Sequence, residues 1–183
     1  IVTSQKRAQS LQDIPMSVSA IGGELAQEAA IVDATDLVQY TPNVKFTASN
    51  PAFTSISIRG FGSPPLALNL EPSVGLVIDG VSYGRSTFTQ DAVYDLERLE
   101  VLRGPQGTLF GKNTVAGVLN FTTAAPSFDV TGYVMVADES LDGRRYEGAV
   151  GFPLIEDVLA GRISWRKREK SYGLYNTTRD NEE

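Results

Sequence analysis

Two arginines and one glutamate carry charges that the surrounding sequence leads us to expect in pairs. Arg59 and Arg103 each end an apolar segment and are each followed by glycine, and Glu100 interrupts the second of these segments. A buried charge without a partner costs several kcal/mol, so such side chains are normally found in ion pairs or hydrogen-bonded networks. Their chemistry is therefore ion pairing, with partners either inside the same domain or outside it.

The composition removes most catalytic chemistry. The 183 residues include no histidine and no cysteine, which excludes Ser-His-Asp and Cys-His nucleophilic sites, disulfides and the usual zinc sites. The acidic residues are scattered without the spacing of a calcium-binding loop, and a solvated surface explains them better. We therefore expect no enzymatic activity, no metal site and no cofactor, and a polysaccharide- or cation-dependent enzyme ranks last among the possible functions.

The charge balance also limits the partners. The formal net charge is −6, so the chain lacks the basic surface with which proteins bind nucleic acids. No apolar run approaches the length of about 18 residues that a membrane-spanning helix needs, whereas membrane-crossing strands have a weaker pattern that this test does not detect.

The elements that position these charges follow from the apolar pattern. Strands are predicted at residues 16–21, 55–59, 74–78, 81–83 and around Leu99 and Val118. A helix is predicted over residues 24–40, with a restart at Thr35-Asp36 as the alternative. Asp79-Gly80 is a hairpin turn signal, because both residues tolerate a positive φ. Asp95 is predicted to cap a short helical turn over residues 96–98. Residues 47–53 are predicted to form a polar loop.

After residues 124–127 the pattern changes to long alternating segments at 130–138, 145–153 and 158–169. In the second segment Tyr146, Gly148 and Val150 share one face, and Arg145 and Glu147 share the other. Residues 154–157 are predicted to form a short turn. This alternation is typical of transmembrane barrel strands, but a soluble antiparallel sheet gives the same pattern, so the segments alone do not decide between the two.

Five sequence segments resemble one known family, in its order. They are SLQDIPMSVSAI (10–21), DLVQYTPNV (36–44), SISIRGFG (55–62), PSVGLVIDGVSYGRS (72–86), and EVLRGPQGTLFG followed by AGVLNFTT (100–111 and 116–123). Together they resemble the plug domain of TonB-dependent outer-membrane receptors over roughly residues 1–127. A single segment would be weak evidence, but five in the same order are specific.

The resemblance implies a fold and a division into domains. The expected fold is an α+β plug with a small mixed sheet and short helices, followed by the first antiparallel strands of a 22-stranded transmembrane β-barrel. Residues 1–9 would be an N-terminal segment at the end of a TonB box, residues 10–127 the plug domain and residues 128–183 the first barrel strands. About three strands cannot close such a barrel, so the chain is expected to be a fragment.

The resemblance also implies a function and partners. The expected function is TonB-dependent active transport of a scarce solute, such as a siderophore-type iron complex, across the bacterial outer membrane, with the plug gating the barrel lumen and a periplasmic N-terminus. The implied partners are TonB with the ExbB/ExbD energy-transducing complex, outer-membrane lipid, and a small-molecule or metal-chelate ligand, with no nucleic acid. The alternative is a soluble plug-like interaction domain without a transport role.

Finally, the resemblance assigns site residues. Arg59 and Arg103 match family arginines that pair with barrel glutamates and lock the plug in the lumen, and Glu100 would be a third member of this lock. In the isolated chain the two arginines should be solvated or paired locally. Ligand would bind the apical loops 47–53, 62–70 and 83–90, through Phe53, Leu66, Leu68, Tyr83, Arg85 and Phe88. Ile1, Val2 and Thr3 look like the tail of the segment that TonB contacts, with an ordinary loose terminus as the alternative.

Overall fold

The computed structural model describes residues 16–29, 31, 36–48, 54–64, 70–85, 94–139, 143–169, 175–176 and 181–182. The chain consists of two compact units, Ile1–Ala124 and Ala125–Glu183. Within the described residues the first unit contains short strands and helices and the second contains strands. The first unit has the elements β1 (Val18–Gly22), α1 (Gly23–Glu28), α2 (Leu37–Tyr40), β2 (Val44–Ala48), β3 (Thr54–Ile58), β4 (Phe61–Gly62), β5 (Val74–Ile78), β6 (Val81–Tyr83), β7 (Leu96–Arg103), α3 (Gly107–Phe110) and β8 (Gly117–Thr123).

A mixed five-stranded sheet with the order β1-β7-β8-β5-β6 forms the centre of the first unit. Strand β7 pairs antiparallel with β1 on one side and with β8 on the other, whereas β5 and β8 run parallel. Strands β5 and β8 are buried on both faces over most of their length. The apolar sequence of β5, VGLVI, suits this position, because a strand covered on both sides needs no polar face, and β8 adds one buried polar residue, Asn120.

The main core covers one face of this sheet. It contains the buried side chains of Ile21, Ala26, Ile31, Val44, Ile56, Ile58, Val74, Leu76, Leu96, Leu99, Val101, Ala116, Leu119 and Phe121. A smaller cluster of Val77, Leu102 and Val118, with Met16, Val18 and Phe110 packed against it, lies on the opposite face. The two clusters draw on alternate residues of the same strands, as the two-residue period of a β-strand requires.

The turn between β5 and β6 has the predicted form. Asp79 and Gly80 have φ values of 49° and 81°, and Ile78 pairs with Val81 across the turn. Positive φ at both central residues is the type I′ geometry that suits the twist of a two-residue hairpin. The Asp79 carboxylate also accepts hydrogen bonds from the backbone N–H of Thr123 at 2.8 Å and from its hydroxyl at 2.9 Å, which ties this turn to the end of β8.

A second sheet in the first unit corrects the predicted loop at residues 47–53. Strands β2, β3 and β4 form a three-stranded antiparallel sheet in which Val44 pairs with Ile58 and Ala48 with Thr54. Residues 47 and 48 therefore belong to a strand, and residues 49–53 lie outside the described part of the chain. Val44 is buried and Phe46 packs partly buried against the main core, while Lys45 and Thr47 are exposed, and pairing with β3 extends this strand through residue 48.

An uninterrupted helix over residues 24–40 is wrong, and the alternative of a second helix that restarts near Thr35-Asp36 agrees with α2, which begins at Leu37. The structure has α1 and α2, with Ile31 between them in non-helical backbone and fully within the core. Ala29, one of the apolar residues at helical spacing, packs against the main core. It is also the C-terminal cap of α1, so the helix ends there. Helices this short depend on tertiary packing, because their few internal hydrogen bonds do not offset the free-energy cost of helix nucleation.

The helical turn predicted at residues 96–98 is also wrong. Residues Leu96–Arg103 form β7, and Asp95 before it has a φ of 51° and is buried. The register between β7 and β8 shifts between Leu96 and Arg98, so the irregularity that resembled a helical turn is a bulge. Pairing with β8 outweighs the local capping signal, as tertiary context commonly does.

The second unit contains a three-stranded antiparallel sheet with the order β11-β10-β9. Its strands are β9 (Thr131–Glu139), β10 (Gly143–Ile155) and β11 (Leu159–Glu169), and the short strands β12 (Tyr175–Asn176) and β13 (Asn181–Glu182) pair separately. The three alternating segments are thus confirmed as strands. The turn between β10 and β11 covers residues 156–158, slightly later than predicted, since β10 continues through Ile155.

Among the described residues, no helix combines the length and the apolar character that crossing a membrane would demand.

We predict that Gly117→Ala destabilises the first unit. Gly117 has a φ of 154°, and a Cβ there would lie 2.3 Å from the carbonyl oxygen of Leu102 and 2.7 Å from Cδ1 of Ile58. Such overpacking costs about 1–3 kcal/mol, which urea unfolding of the purified chain should show as a lower midpoint. Gly84→Ala is the control, because nothing lies within 4 Å of its Cβ position. Equal midpoints for both variants would contradict the close packing at Gly117.

Candidate functional site

The Arg103 side chain bridges two parts of the first unit. It lies at the end of β7, where its Nη1 donates to the hydroxyl of Ser19 in β1 at 2.8 Å and its Nη2 donates to the carbonyl oxygen of Pro42 at 3.1 Å. The turn that contains Pro42 leads into β2, so one guanidinium connects the five-stranded sheet to the start of the three-stranded sheet. Both acceptors are neutral and leave the positive charge of Arg103 in place.

Arg59 adds a second positive charge close to Arg103. It follows β3 with a φ of 53° and an exposed side chain, and its backbone N–H donates to the carbonyl oxygen of Asn43 at 2.8 Å. The pKa of Arg103 lies below its usual value, first because of partial burial and second because of the charge of Arg59. Within the part of the chain that the structure describes, no carboxylate forms a salt bridge with either arginine. Among the described residues, the two arginines thus bring two positive charges close enough to repel each other.

Glu100 lies on the other face of β7 from Arg103, since the two positions differ by three and only residues at even spacing share a face. Its side chain is fully buried; one carboxylate oxygen accepts from Nε of Arg98 at 3.1 Å and the other from Nδ2 of Asn120 at 3.1 Å. Arg98 also forms a salt bridge with Glu97. This network satisfies a charge in the interior of the unit, where an unpaired carboxylate would be strongly destabilising.

The predicted ligand residues are only partly within the described chain. Phe53, Leu66, Leu68 and Phe88 lie outside it, as do Ile1, Val2 and Thr3. Tyr83 is half-buried at the end of β6 and packs against the main core, and Arg85 is exposed two residues further on. The structure therefore brings an exposed arginine to the start of the third predicted loop.

Contacts at the base of the loop over residues 62–70 were not predicted. The Ser63 hydroxyl donates to the carbonyl oxygen of Glu71 at 2.9 Å and lies 3.2 Å from the hydroxyl of Ser73, and the Ser55 hydroxyl bonds to the carbonyl oxygen of Ser63. Nζ of Lys112 lies 2.6 Å from Oε1 of Glu71. Ser63 and Ser73 lie before and after a proline-containing segment, and this placement is only a weak sequence signal that the two ends of the segment contact each other.

The second unit buries one ion pair and exposes many apolar side chains. Arg145 and Glu147 in the central strand β10 are buried and form an ion pair with an Nη1–Oε2 distance of 3.4 Å. Residues on the opposite face are exposed, among them Val134, Val136, Val150, Leu159, Ile163 and Trp165. A sheet in water normally shows the reverse distribution, so the apolar face is matched to surroundings other than water.

Gly148 makes room for the single tryptophan on that apolar face. Gly148 pairs with Trp165 in the neighbouring strand, and a Cβ at Gly148 would lie 2.4 Å from the indole ring. The indole therefore lies over Gly148 and covers its backbone. A larger residue at this position would occupy the space of the indole with its own side chain. This cross-strand contact fixes the register of β10 and β11 in addition to their backbone hydrogen bonds.

Comparison with known proteins gives a consistent result. A profile of the TonB-dependent receptor plug domain matches residues 10–118. The pesticin receptor of Yersinia pestis is 30% identical over 165 residues, which cover 90% of this chain and 24% of the relative. The ferrioxamine B receptor of Salmonella typhimurium is 33% identical over 161 residues, covering 85% of this chain and 22% of the relative. The chain thus spans about a quarter of the length of these curated relatives.

Solved structures show the same similarity. The ferric yersiniabactin uptake receptor FyuA of Yersinia pestis superimposes with a TM-score of 0.77 at 25% identity, covering 91% of this chain and 26% of that structure. The pyoverdine outer-membrane receptor FpvA of Pseudomonas aeruginosa gives a TM-score of 0.78 at 19% identity, covering 94% of this chain and 25% of that structure. At the lower identity the similarity concerns the fold alone.

We predict that Asn120→Asp weakens the first unit at neutral pH. The new carboxylate would face Glu100, and two like charges in a buried site cost about 3 kcal/mol unless one takes up a proton. The loss of stability should therefore shrink as the pH falls from 8 to 5, as measured by urea unfolding at each pH. Asn113→Asp, in a turn with a φ of 66°, changes the net charge equally and serves as the control. A pH-independent loss would contradict the buried pairing.

Proposed function

This chain belongs to the TonB-dependent receptor plug domain family, and we propose that it is the gating part of an outer-membrane receptor that imports a scarce solute. The observation that carries the proposal is the presence, in one chain, of the plug fold and of a following sheet with an exposed apolar face and a buried ion pair. An exposed apolar face of this kind marks contact with a membrane or a partner, and the family match to outer-membrane receptors favours the membrane over a partner of a soluble domain. The soluble alternative is therefore set aside.

We assign residues 10–127 to the plug and residues 128–183 to the first strands of the barrel wall. Residues 1–9 would form the segment through which TonB, driven by the ExbB/ExbD complex, pulls on the plug. Outer-membrane lipid would cover the apolar face of β9–β11, and the buried Arg145–Glu147 pair would belong to the polar side of the wall. This assignment is supported by the family match and by the polarity of the two sheet faces.

The solute is proposed to be an iron chelate of the siderophore type. The support comes from relatives whose names specify ferrioxamine B, ferric yersiniabactin and pyoverdine. Ligand would bind the loops that carry Phe53, Leu66, Leu68, Tyr83, Arg85 and Phe88. Binding would shift the plug towards a form whose N-terminal segment, with Ile1, Val2 and Thr3, is available to TonB.

The two arginines at the junction of the sheets fit the role of a plug lock. Arg59 and Arg103 place two positive charges close together. The Arg103 guanidinium donates hydrogen bonds to two neutral acceptors, Ser19 and Pro42. A carboxylate from the barrel wall would neutralise this pair in a partly buried setting, where charge-assisted hydrogen bonds are strong. Glu100 would contribute indirectly, because it stabilises the interior of β7, the strand that ends at Arg103.

The transport proposal predicts TonB-dependent growth. A bacterium that lacks its own siderophore receptors and expresses the full-length receptor should grow on at least one of ferrioxamine B, ferric yersiniabactin or ferripyoverdine as sole iron source. Deleting TonB should abolish that growth, because the plug would no longer be pulled. Growth that persists without TonB, or a receptor that fractionates away from the outer membrane, would contradict the proposal.

We further predict that Arg85→Ala weakens ligand binding. Loss of one charge-assisted contact to an oxygen-rich chelate should raise the Kd about tenfold, as measured by fluorescence quenching on the purified full-length receptor with the chelate that supports growth. Lys45→Ala removes an exposed charge from β2 and should leave the Kd unchanged. Equal Kd values for Arg85→Ala and the unmodified receptor would remove Arg85 from the ligand site.

A further inference from the structure

Two hydrogen bonds hold the Arg103 guanidinium and leave its charge available. A guanidinium has five N–H donors, and Ser19 and Pro42 accept one each, so three donors are left for other partners. Neither acceptor carries a charge. The orientation of Arg103 is therefore set inside the first unit, whereas none of the residues that the structure describes neutralises its charge.

The two acceptors belong to different parts of the unit. Pro42 precedes β2, and its backbone carbonyl oxygen accepts a hydrogen bond from Arg103. This contact does not depend on the side chain at position 42. Ser19 lies in β1, 84 residues from Arg103 in the sequence, and accepts through its hydroxyl. Only the Ser19 contact can be removed by a side-chain substitution that leaves both backbones in place.

Strand β1 is an edge strand. Among the described strands it pairs with β7 alone, from Val18 opposite Leu102 to Gly22 opposite Arg98, and the backbone N–H of Arg103 extends the ladder to the carbonyl oxygen of Ser17. Any withdrawal of β1 from β7 must carry Ser19 away from Arg103. Because β1 is the first described strand of the chain, a pull on the N-terminal segment reaches it before the other described strands.

We infer that Ser19 is a positioning residue that couples the N-terminal strand to the arginine lock. While β1 is in place, the Ser19 hydroxyl holds the Arg103 guanidinium in the orientation that grips an acidic group of the receptor wall. When β1 is withdrawn, Arg103 loses this support and the grip weakens. The inference rests on the proposed function and specifies how force at one end of the plug releases its contact with the wall.

A purely structural role for Ser19 makes a different prediction. If the hydroxyl only satisfied a half-buried donor, its removal would loosen β1 itself, and the pairing of β1 with β7 would open more often. If Ser19 positions Arg103, the lock weakens while the β1–β7 ladder stays intact. Lock strength and ladder opening therefore have to be measured on the same variants.

The test uses the full-length receptor reconstituted in liposomes without TonB. Passive leak of an entrapped hydrophilic dye reports how firmly the plug is held. Ser19→Ala should raise the leak rate about tenfold, the effect of losing one hydrogen bond to a charged group. Ser19→Thr keeps a hydroxyl at this position and should restore the original rate. Ser82→Ala, the same change in the other edge strand β6, should leave the rate unchanged.

Amide hydrogen exchange of residues 18–22 supplies the second measurement. The coupling is supported if Ser19→Ala raises the leak while exchange in this strand keeps its original rate. It is overturned if exchange rises in parallel with the leak, or if the leak does not change. In an Arg103→Gln background, Ser19→Ala should add no further leak, because the residue that it positions is already lost.

The same preparations separate this inference from the proposed function. If the unmodified receptor supports TonB-dependent iron uptake but Ser19→Ala does not leak, only the coupling through Ser19 fails. If the unmodified receptor supports no TonB-dependent uptake, the proposed function fails whatever the leak rates show. The two failures thus have different signatures.

Discussion

Strand β7 is paired along both of its edges, and the arrangement of the first unit depends on this double pairing. Its ladders to β1 and β8 fix which side chains face each side of the sheet. Leu99 and Val101 enter the main core, Glu100 enters the opposite side beside Asn120, and Arg103 emerges where the strand ends. A slip of one residue would place Glu100 among the apolar side chains, so the charged residue itself helps to specify the register.

The sequence predicts those parts of the fold whose causes are local. Asp79-Gly80 forms its turn because both residues tolerate positive φ, and the second unit forms its strands because apolar and charged residues alternate over long segments. Where local signals compete with pairing, prediction fails. Asp95 has the chemistry of a helix cap, yet the residues after it gain more from the ladder with β8 than from a helical turn.

The candidate site is predictable only in its charged members. The positions of Arg59, Arg103 and Glu100 at or within apolar segments are enough to mark them, because charges there require an explanation. Their partners cannot be found in this way: Ser19 is 84 residues from Arg103, and Lys112 is 41 residues from Glu71. Serines, backbone carbonyls and surface lysines are too common for their types to indicate a long-range contact, which only the folded chain creates.

The contact between Gly148 and Trp165 has a spectroscopic consequence. Trp165 is the only tryptophan in the sequence, so the intrinsic indole emission of this chain arises entirely from the β10–β11 pair. About half of the residue is exposed, on the apolar face of its sheet. Its emission wavelength therefore reports the polarity around that face without any attached dye. Transfer of the sheet from water into detergent or lipid would shift the emission to the blue.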